Sequence, residues 1–100
     1  MKFTTDTALI NVNGTHLQGY ITADYSRLVE VFGKPNGVGD DYKTDAEWEV
    51  KFDDGTVATI YNWKNGKNYC GPSGQDVEFI RNWNVGGFTS EAVARIKEVL

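Results

Sequence analysis

The segment Glu47–Phe52 constrains the fold of this chain more than any other feature. Its three apolar residues alternate with two glutamates and a lysine, which is the period-2 pattern of a half-buried β-strand. The turn sequence Asp53-Asp54-Gly55 follows, and residues 56–63 are rich in β-branched and aromatic side chains. Residues 45–63 are therefore predicted to form one long β-hairpin.

Two registers of this hairpin are compatible with its turn. A two-residue turn pairs Trp48 with Tyr61, whereas a three-residue turn ending in a bulge at Gly55 pairs Trp48 with Ile60. The second register is favoured, because it gathers the apolar side chains on one face and leaves the charged ones on the other. The apolar set is then Trp48, Val50, Phe52, Ala58 and Ile60.

A first helix is predicted over residues 25–32, where apolar residues recur at spacings of three and four. Thr22 or Asp24 can cap its first turn. Gly33 suits the left-handed residue that ends a helix, and a proline follows shortly after it. The charged and glycine-containing segment that comes next, Lys34–Thr44, is predicted to be a loop.

A second helix is predicted near the C-terminus, with Thr89 or Ser90 as its cap. The repeat of its apolar residues indicates one buried stripe and places Ala92 at the margin of that stripe. The residues of the stripe are Val93, Ile96, Val99 and Leu100.

Strands are also predicted before the first helix and between the central hairpin and the last helix. Residues 8–12 and 17–21 favour an opening hairpin or a single edge strand, and residues 77–85 favour a strand that ends at Gly86-Gly87. In that last strand one side carries Phe79, Trp83 and Val85. The order of elements predicts a single α+β domain over residues 1–100, an antiparallel sheet built round a central long hairpin with two helices packed on one face.

The overall charge and the apolar content exclude several classes of partner. The formal net charge of −4 argues against nonspecific binding of nucleic acid, which requires a basic face. No run of residues is apolar enough to span a membrane, and the first six residues lack the apolar core of a signal peptide. Cys70 is the only cysteine, so a reducing compartment and a cytoplasmic location are expected.

Several residues could in principle carry chemistry, but a structural role explains each of them more simply. Paired aspartates at a hairpin tip bond their own backbone, and the loop aspartates do not match a calcium-binding spacing. A single histidine has no second histidine for zinc, and a single thiol lacks a basic neighbour that would activate it. These residues are Asp53, Asp54, Asp40, Asp41, Asp45, His16 and Cys70. We therefore expect a non-enzymatic protein with no metal and no cofactor.

The Lys64–Gln75 loop is the best candidate for a binding site. It combines lysines, amide donors and glycines with aromatic rings on which a nucleobase can stack, and glycine-rich backbone can hold an anion. The same composition also suits a surface crossover whose lysines are solvated and whose aromatics complete the core. The candidate ligand-binding residues are Trp63, Lys64, Asn65, Lys67, Asn68, Tyr69, Ser73 and Gln75, to which Tyr20, Tyr42, Arg81 and Trp83 could add a wall.

Three segments together resemble a group of small accessory proteins encoded by bacteriophages. They are the stretch from Tyr25 to Pro35 with Leu28-Val29-Glu30-Val31-Phe32-Gly33, the stretch from Asp45 to Trp63, and Trp83-Asn84-Val85-Gly86-Gly87. The resemblance implies a phage protein that counters host immunity, in the cytoplasm of the host cell. A helix that ends in Gly-x-Pro before an antiparallel hairpin is also similar in fold to the repeats of β-lactamase-inhibitor-like domains.

Three functions are compatible with this resemblance, and the third, after the two described next, is a phage structural or host-takeover module with no immune target. The first is a protein that binds and sequesters a small signalling nucleotide made by a host defence system. The second is a protein-binding inhibitor, for example of a CRISPR effector, whose acidic residues mimic the charge of nucleic acid. Those acidic residues are Glu47, Glu49, Asp53, Asp54, Asp40, Asp41 and Asp45.

A homo-oligomer, most simply a two-fold dimer, is also expected. The segment from Ala8 to Ala23 carries no charge apart from His16, although exposed edge strands are usually charged, paired or covered. Ligand sites often form where two surfaces meet, so the ligand is expected at or near the interface, in contact with the Lys64–Gln75 loop.

Overall fold

The α+β class predicted from the sequence is confirmed. The computed structural model describes residues 1–37 and 42–100, and its five strands form one open antiparallel sheet in the order β1-β3-β4-β5-β2. The strands are β1 (Phe3–Thr4), β2 (His16–Thr22), β3 (Glu47–Phe52), β4 (Val57–Tyr61) and β5 (Asn82–Gly87). The helices are α1 (Tyr25–Phe32), α2 (Lys67–Cys70) and α3 (Glu91–Val99), with 3-10 turns at Thr7–Leu9, Gly71–Ser73 and Val77–Phe79.

The central hairpin β3–β4 has the favoured register. Trp48 pairs with Ile60, and the Phe52 amide donates to the Thr56 carbonyl at 2.8 Å. Gly55 takes a φ of +89°, the left-handed conformation that the three-residue turn requires and that glycine adopts without strain. The two-residue turn is therefore excluded, and the apolar side of the hairpin faces the core.

Helix α1 is held against this apolar face at both of its ends by buried tryptophans. The Trp83 indole N–H donates to the carbonyl of Ala23, just before the helix, at 2.9 Å, and the Trp48 indole N–H donates to the carbonyl of Gly33, just after it, at 2.8 Å. The two indole rings meet edge to face with their centroids 5.4 Å apart. Each buried N–H thus has a partner, which removes the cost of placing indole in a core.

Both predicted helix boundaries of α1 are confirmed, although its N-terminal cap differs in detail. Gly33 has a φ of +83° and its amide donates to the Val29 carbonyl. Asp24 occupies the cap position but makes no side-chain hydrogen bond to the helix, and its carboxylate pairs instead with Arg81 at 2.9 Å. Ser90 likewise occupies the cap position of α3 without a side-chain bond.

Helix α3 lies on the same sheet face as α1, as predicted, but a different residue is central to its packing. Ala92 is fully buried, whereas Val93 and Val99 are only partly buried, so the placement of Ala92 at the margin was wrong. The reason is a glycine beneath it: a Cβ on Gly87 would lie 2.5 Å from the Ala92 Cβ. Only the pair of small residues lets the helix come this close to the sheet.

The strand predicted over residues 77–85 was partly wrong. Val77–Phe79 is a 3-10 turn, the strand begins at Asn82, and the segment Gly86-Gly87 continues the strand instead of ending it. Ile80 takes the buried position, while Phe79 is 70% exposed. Gly86 is needed inside the strand, because a Cβ there would lie 2.5 Å from the Thr59 hydroxyl.

The N-terminal region also differs from its prediction. Residues 8–12 do not form the first strand of an opening hairpin, since Thr7–Leu9 is a 3-10 turn capped by the Asp6 carboxylate. The alternative of a single edge strand is confirmed by β2, which lies at one edge of the sheet. The short strand β1 at the opposite edge was not predicted.

Candidate functional site

The Lys64–Gln75 segment is more regular than the loop expected from its sequence. It contains the helical turn α2 and a 3-10 turn, and the Gln75 amide closes it by donating to the Asn65 carbonyl at 3.0 Å. Gly74 packs against the backbone of Gly66, where a Cβ would lie 2.4 Å from the carbonyl oxygen. Gly74 therefore serves close backbone packing within the segment, whereas Gly71 supplies a left-handed φ of +66°.

A buried asparagine that sequence reasoning missed anchors this segment to the sheet. Asn62 is fully buried, and its side-chain oxygen accepts from the amides of Asp45 and Ala46 at 2.7 and 3.0 Å. Its side-chain nitrogen donates to Asp45 Oδ1 at 2.9 Å and to Asn65 Oδ1 at 3.1 Å. All hydrogen-bonding positions of this amide are occupied, so the network is rigid and internally satisfied.

Other predicted site residues are also engaged within the chain. Asn65 belongs to the network just described, and three further predicted residues make bonds of their own. These are Asn68 Nδ2 to the Thr44 carbonyl (2.9 Å), Ser73 Oγ to the Cys70 carbonyl (2.9 Å) and Lys67 Nζ to Asp76 Oδ1 (2.9 Å). The polar residues of the segment thus hold its shape.

Four further predicted residues come together at the surface, namely Trp63, Lys64, Tyr69 and Tyr42, and they are joined by Lys43, which was not predicted. We call this surface the aromatic–lysine patch and define it as Tyr42, Lys43, Trp63, Lys64 and Tyr69. Trp63 is 41% exposed, and the ammonium groups of Lys43 and Lys64 lie 5.3 and 6.0 Å from its ring centroid. Lys64 also lies 5.5 Å from the Tyr69 ring, which meets the Tyr42 ring edge to face at 5.1 Å. Such cation–π contacts place positive charge beside exposed rings.

Beside the patch lies the sheet face that the helices leave uncovered, here called the open face. Register places Glu47, Tyr61, Asn84 and Tyr20 in one row across β3, β4, β5 and β2. The Tyr61 ring contacts Trp63 edge to face, with the ring centroids 6.0 Å apart. The patch and the open face are therefore continuous.

Two groups in this row have shifted pKa values. Burial, reinforced by the nearby charge of Glu49, raises the pKa of Glu47 to about 7. Burial also raises the pKa of Tyr61, against an opposing hydrogen bond from Asn84. The part of the open face around Glu47 and Tyr61 is thus partly shielded from water and polar at the same time, a combination typical of ligand-binding surfaces.

Two of the residues suggested as an additional wall do not reach the patch. Trp83 is fully buried on the opposite, helix-covered face of the sheet, and Arg81 pairs with Asp24. Tyr20, by contrast, is 65% exposed at the end of the row on the open face. The suggestion that these residues complete a pocket with the loop was therefore only partly correct.

The residues considered for catalysis or metal binding have structural surroundings. Asp54 accepts from the Thr56 amide and pairs with Arg95 at 2.9 Å, and the Cys70 thiol donates to the Lys64 carbonyl at 3.3 Å. Across residues 1–37 and 42–100, no group of three or more His, Cys, Asp or Glu is placed to hold a metal ion. Asp40 and Asp41 lie outside the described residues.

Comparison with known proteins adds no relative: no family model, curated protein or solved structure matches this chain. In the part of the chain that the structure describes, no helix has the length and apolar character needed to cross a membrane.

Proposed function

We propose that this protein is a non-enzymatic phage counter-defence protein that binds and sequesters a host immune signalling nucleotide in the host cytoplasm. The observation that carries the proposal is the exposed Trp63 ring with the ammonium groups of Lys43 and Lys64 at 5.3 and 6.0 Å. A nucleobase can stack on such a ring while the neighbouring Lys64 ammonium group donates to its phosphates. The resemblance to phage accessory proteins supports the biological setting.

The distribution of charge supports a small anionic ligand. The chain carries a formal charge of −4, yet two lysines lie together beside the exposed ring of Trp63. The Lys64 ammonium group, near both the Trp63 and the Tyr69 ring, can attract a nucleotide, while the acidic chain as a whole disfavours nonspecific binding of nucleic acid. The hydrogen bonds around Asn62 hold this surface in place before any ligand arrives, which lowers the entropic cost of binding.

Thermal unfolding with a panel of cyclic dinucleotides, cyclic trinucleotides and ADP-ribose derivatives tests the proposal. A ligand at about 100 times its Kd stabilises the folded state by about 2.7 kcal/mol, or roughly 10 °C or more for a domain of this size. Trp63→Ala should weaken binding by about 1–3 kcal/mol, the contribution of one stacked base. Phe79→Ala, which removes another exposed ring away from the patch, is the matched control and should bind normally. No shift with any nucleotide would exclude the proposal.

A protein-binding inhibitor is the second candidate. Glu47 and Glu49 on the open face, with Asp53 and Asp54 at the hairpin tip, supply the negative charge that a nucleic-acid mimic needs. The raised pKa of Glu47 reduces that charge near neutral pH, which is why this candidate ranks second. Pull-down of partners from host lysate at low and high salt tests it: a mimic should lose its partner at high salt, and a partner retained unchanged would contradict mimicry.

A further inference from the structure

The open face carries a carboxylate that is partly shielded from water and has no hydrogen-bond donor among the described residues. Burial and the charge of Glu49 raise the pKa of Glu47, and no hydrogen bond from a described residue lowers it. Its carboxylate packs against Gly37, where a Cβ would lie 2.7 Å from Oε2. A shielded polar group without a partner costs free energy, and a ligand that supplies donors recovers it.

This carboxylate lies next to the aromatic–lysine patch. Glu47 is directly opposite Tyr61 in the antiparallel pair, a position in which Cβ atoms are about 5 Å apart. The Tyr61 ring in turn contacts Trp63, over which the two lysines lie. A cation, an exposed aromatic ring and a hydrogen-bond acceptor thus lie on one continuous surface. A nucleotide offers a partner to each of them: its phosphate, its base plane and its base edge.

We infer that Glu47 binds the edge of the stacked base and makes the site selective for guanine nucleotides. The inference rests on the proposed nucleotide-binding function. An ionised carboxylate accepts hydrogen bonds and donates none. Guanine presents two adjacent N–H donors on one edge, at N1 and at the 2-amino group, which the two carboxylate oxygens can accept side by side. Adenine presents a bare N1 acceptor there, so the carboxylate would face a lone pair and stay unpaired.

Calorimetric titration at pH 8, where Glu47 is ionised, tests the inference with GMP, IMP and AMP and with cyclic di-GMP against cyclic di-AMP. GMP should bind roughly 10- to 100-fold more tightly than AMP, the discrimination of one good bidentate contact. IMP lacks the 2-amino group and should lie between them. E47Q should reduce the preference to within about threefold, because an amide offers one acceptor and one donor. The matched control E49Q alters the next outward-facing residue of β3 and should keep the wild-type preference.

The outcomes separate this inference from the function on which it rests. Equal binding of guanine and adenine nucleotides, a preference for adenine, or a guanine preference that survives in E47Q would overturn the role of Glu47 while nucleotide binding stands. Absence of binding to every nucleotide, at pH 8 and at pH 6, would overturn both. The melting temperature of E47Q without ligand shows whether any loss of preference arises from unfolding.

Discussion

Asparagine and glutamate side chains, rather than the more conspicuous aromatics, give the candidate site its form. Asn62 is fully buried with its amide engaged by the Asp45 segment, and it fixes the start of the segment that carries Lys64. Asn36 acts similarly at the sheet edge, where its side chain accepts from the Glu49 amide at 2.7 Å and donates to the Glu49 carbonyl at 3.0 Å. The Asn36 side chain thus bonds to β3 as the backbone of a neighbouring strand would, and it brings the adjacent glycine against the Glu47 carboxylate.

The ionisation of Glu47 predicts a specific dependence of stability on pH. Its pKa is about 7 in the folded protein against 4.5 for an unperturbed side chain, so the folded state holds the proton more tightly. Stability should therefore be highest below about pH 4.5 as far as this group is concerned, and should fall as pH rises through 7. Glu47→Gln removes the penalty, and we expect it to stabilise the protein by ~1–2 kcal/mol at pH 8, after allowance for solvent screening, and hardly at all at pH 4.5.

Denaturant unfolding of wild type and variant at pH 4.5, 6 and 8 measures this difference. Glu78→Gln, at an exposed position, is the control and should give the same difference at each pH. A wild-type protein whose stability relative to Glu47→Gln is constant over this range would show that Glu47 ionises normally.

At the level of elements, the predictions succeeded where local sequence decides the structure. Alternation in β3 and the Gly55 turn determine the hairpin register, and Gly33 ends α1 as expected. Val77–Phe79 also alternates, yet it forms a 3-10 turn, because Ile80 rather than Phe79 enters the core. That choice depends on contacts with α1, distant in sequence, so the local pattern could not reveal it.

In the candidate site, too, the features set by local sequence were predicted and those set by distant contacts were not. Trp63, Lys64 and Tyr69 were identified from composition, and they do lie together at the surface. The neighbouring position of Glu47 follows only from the strand register, and the role of Asn62 follows only from its burial. The available signal was an asparagine directly after a strand of β-branched and aromatic residues, since asparagine is depleted from strands.

The whole molecule has two sheet edges of different character. At one edge, the short strand β1 pairs with β3, and the Asn36 side chain also bonds to the backbone of β3. The other edge is β2, a seven-residue strand without Asp, Glu, Lys or Arg. Tyr20 on this strand is 65% exposed and Leu17 is 44% exposed. Natural proteins usually place charges on a free edge to prevent pairing with another chain. The contrast between the two edges supports the proposal that a second copy of this chain pairs with β2.

We accordingly predict a two-fold dimer formed by antiparallel pairing of β2 with β2 of a second copy, with Gly19 near the axis. Light scattering should then give a mass near twice 11.2 kDa, and the share of dimer should rise with concentration. Tyr20→Lys should shift the equilibrium toward the monomer, because it places like charges close to one another across the new pair. Phe79→Lys adds the same charge at an exposed position away from β2 and should leave the mass unchanged. A mass of 11.2 kDa at every concentration, with and without nucleotide, would contradict the dimer, and nucleotide binding by that monomer would place the whole site within one chain.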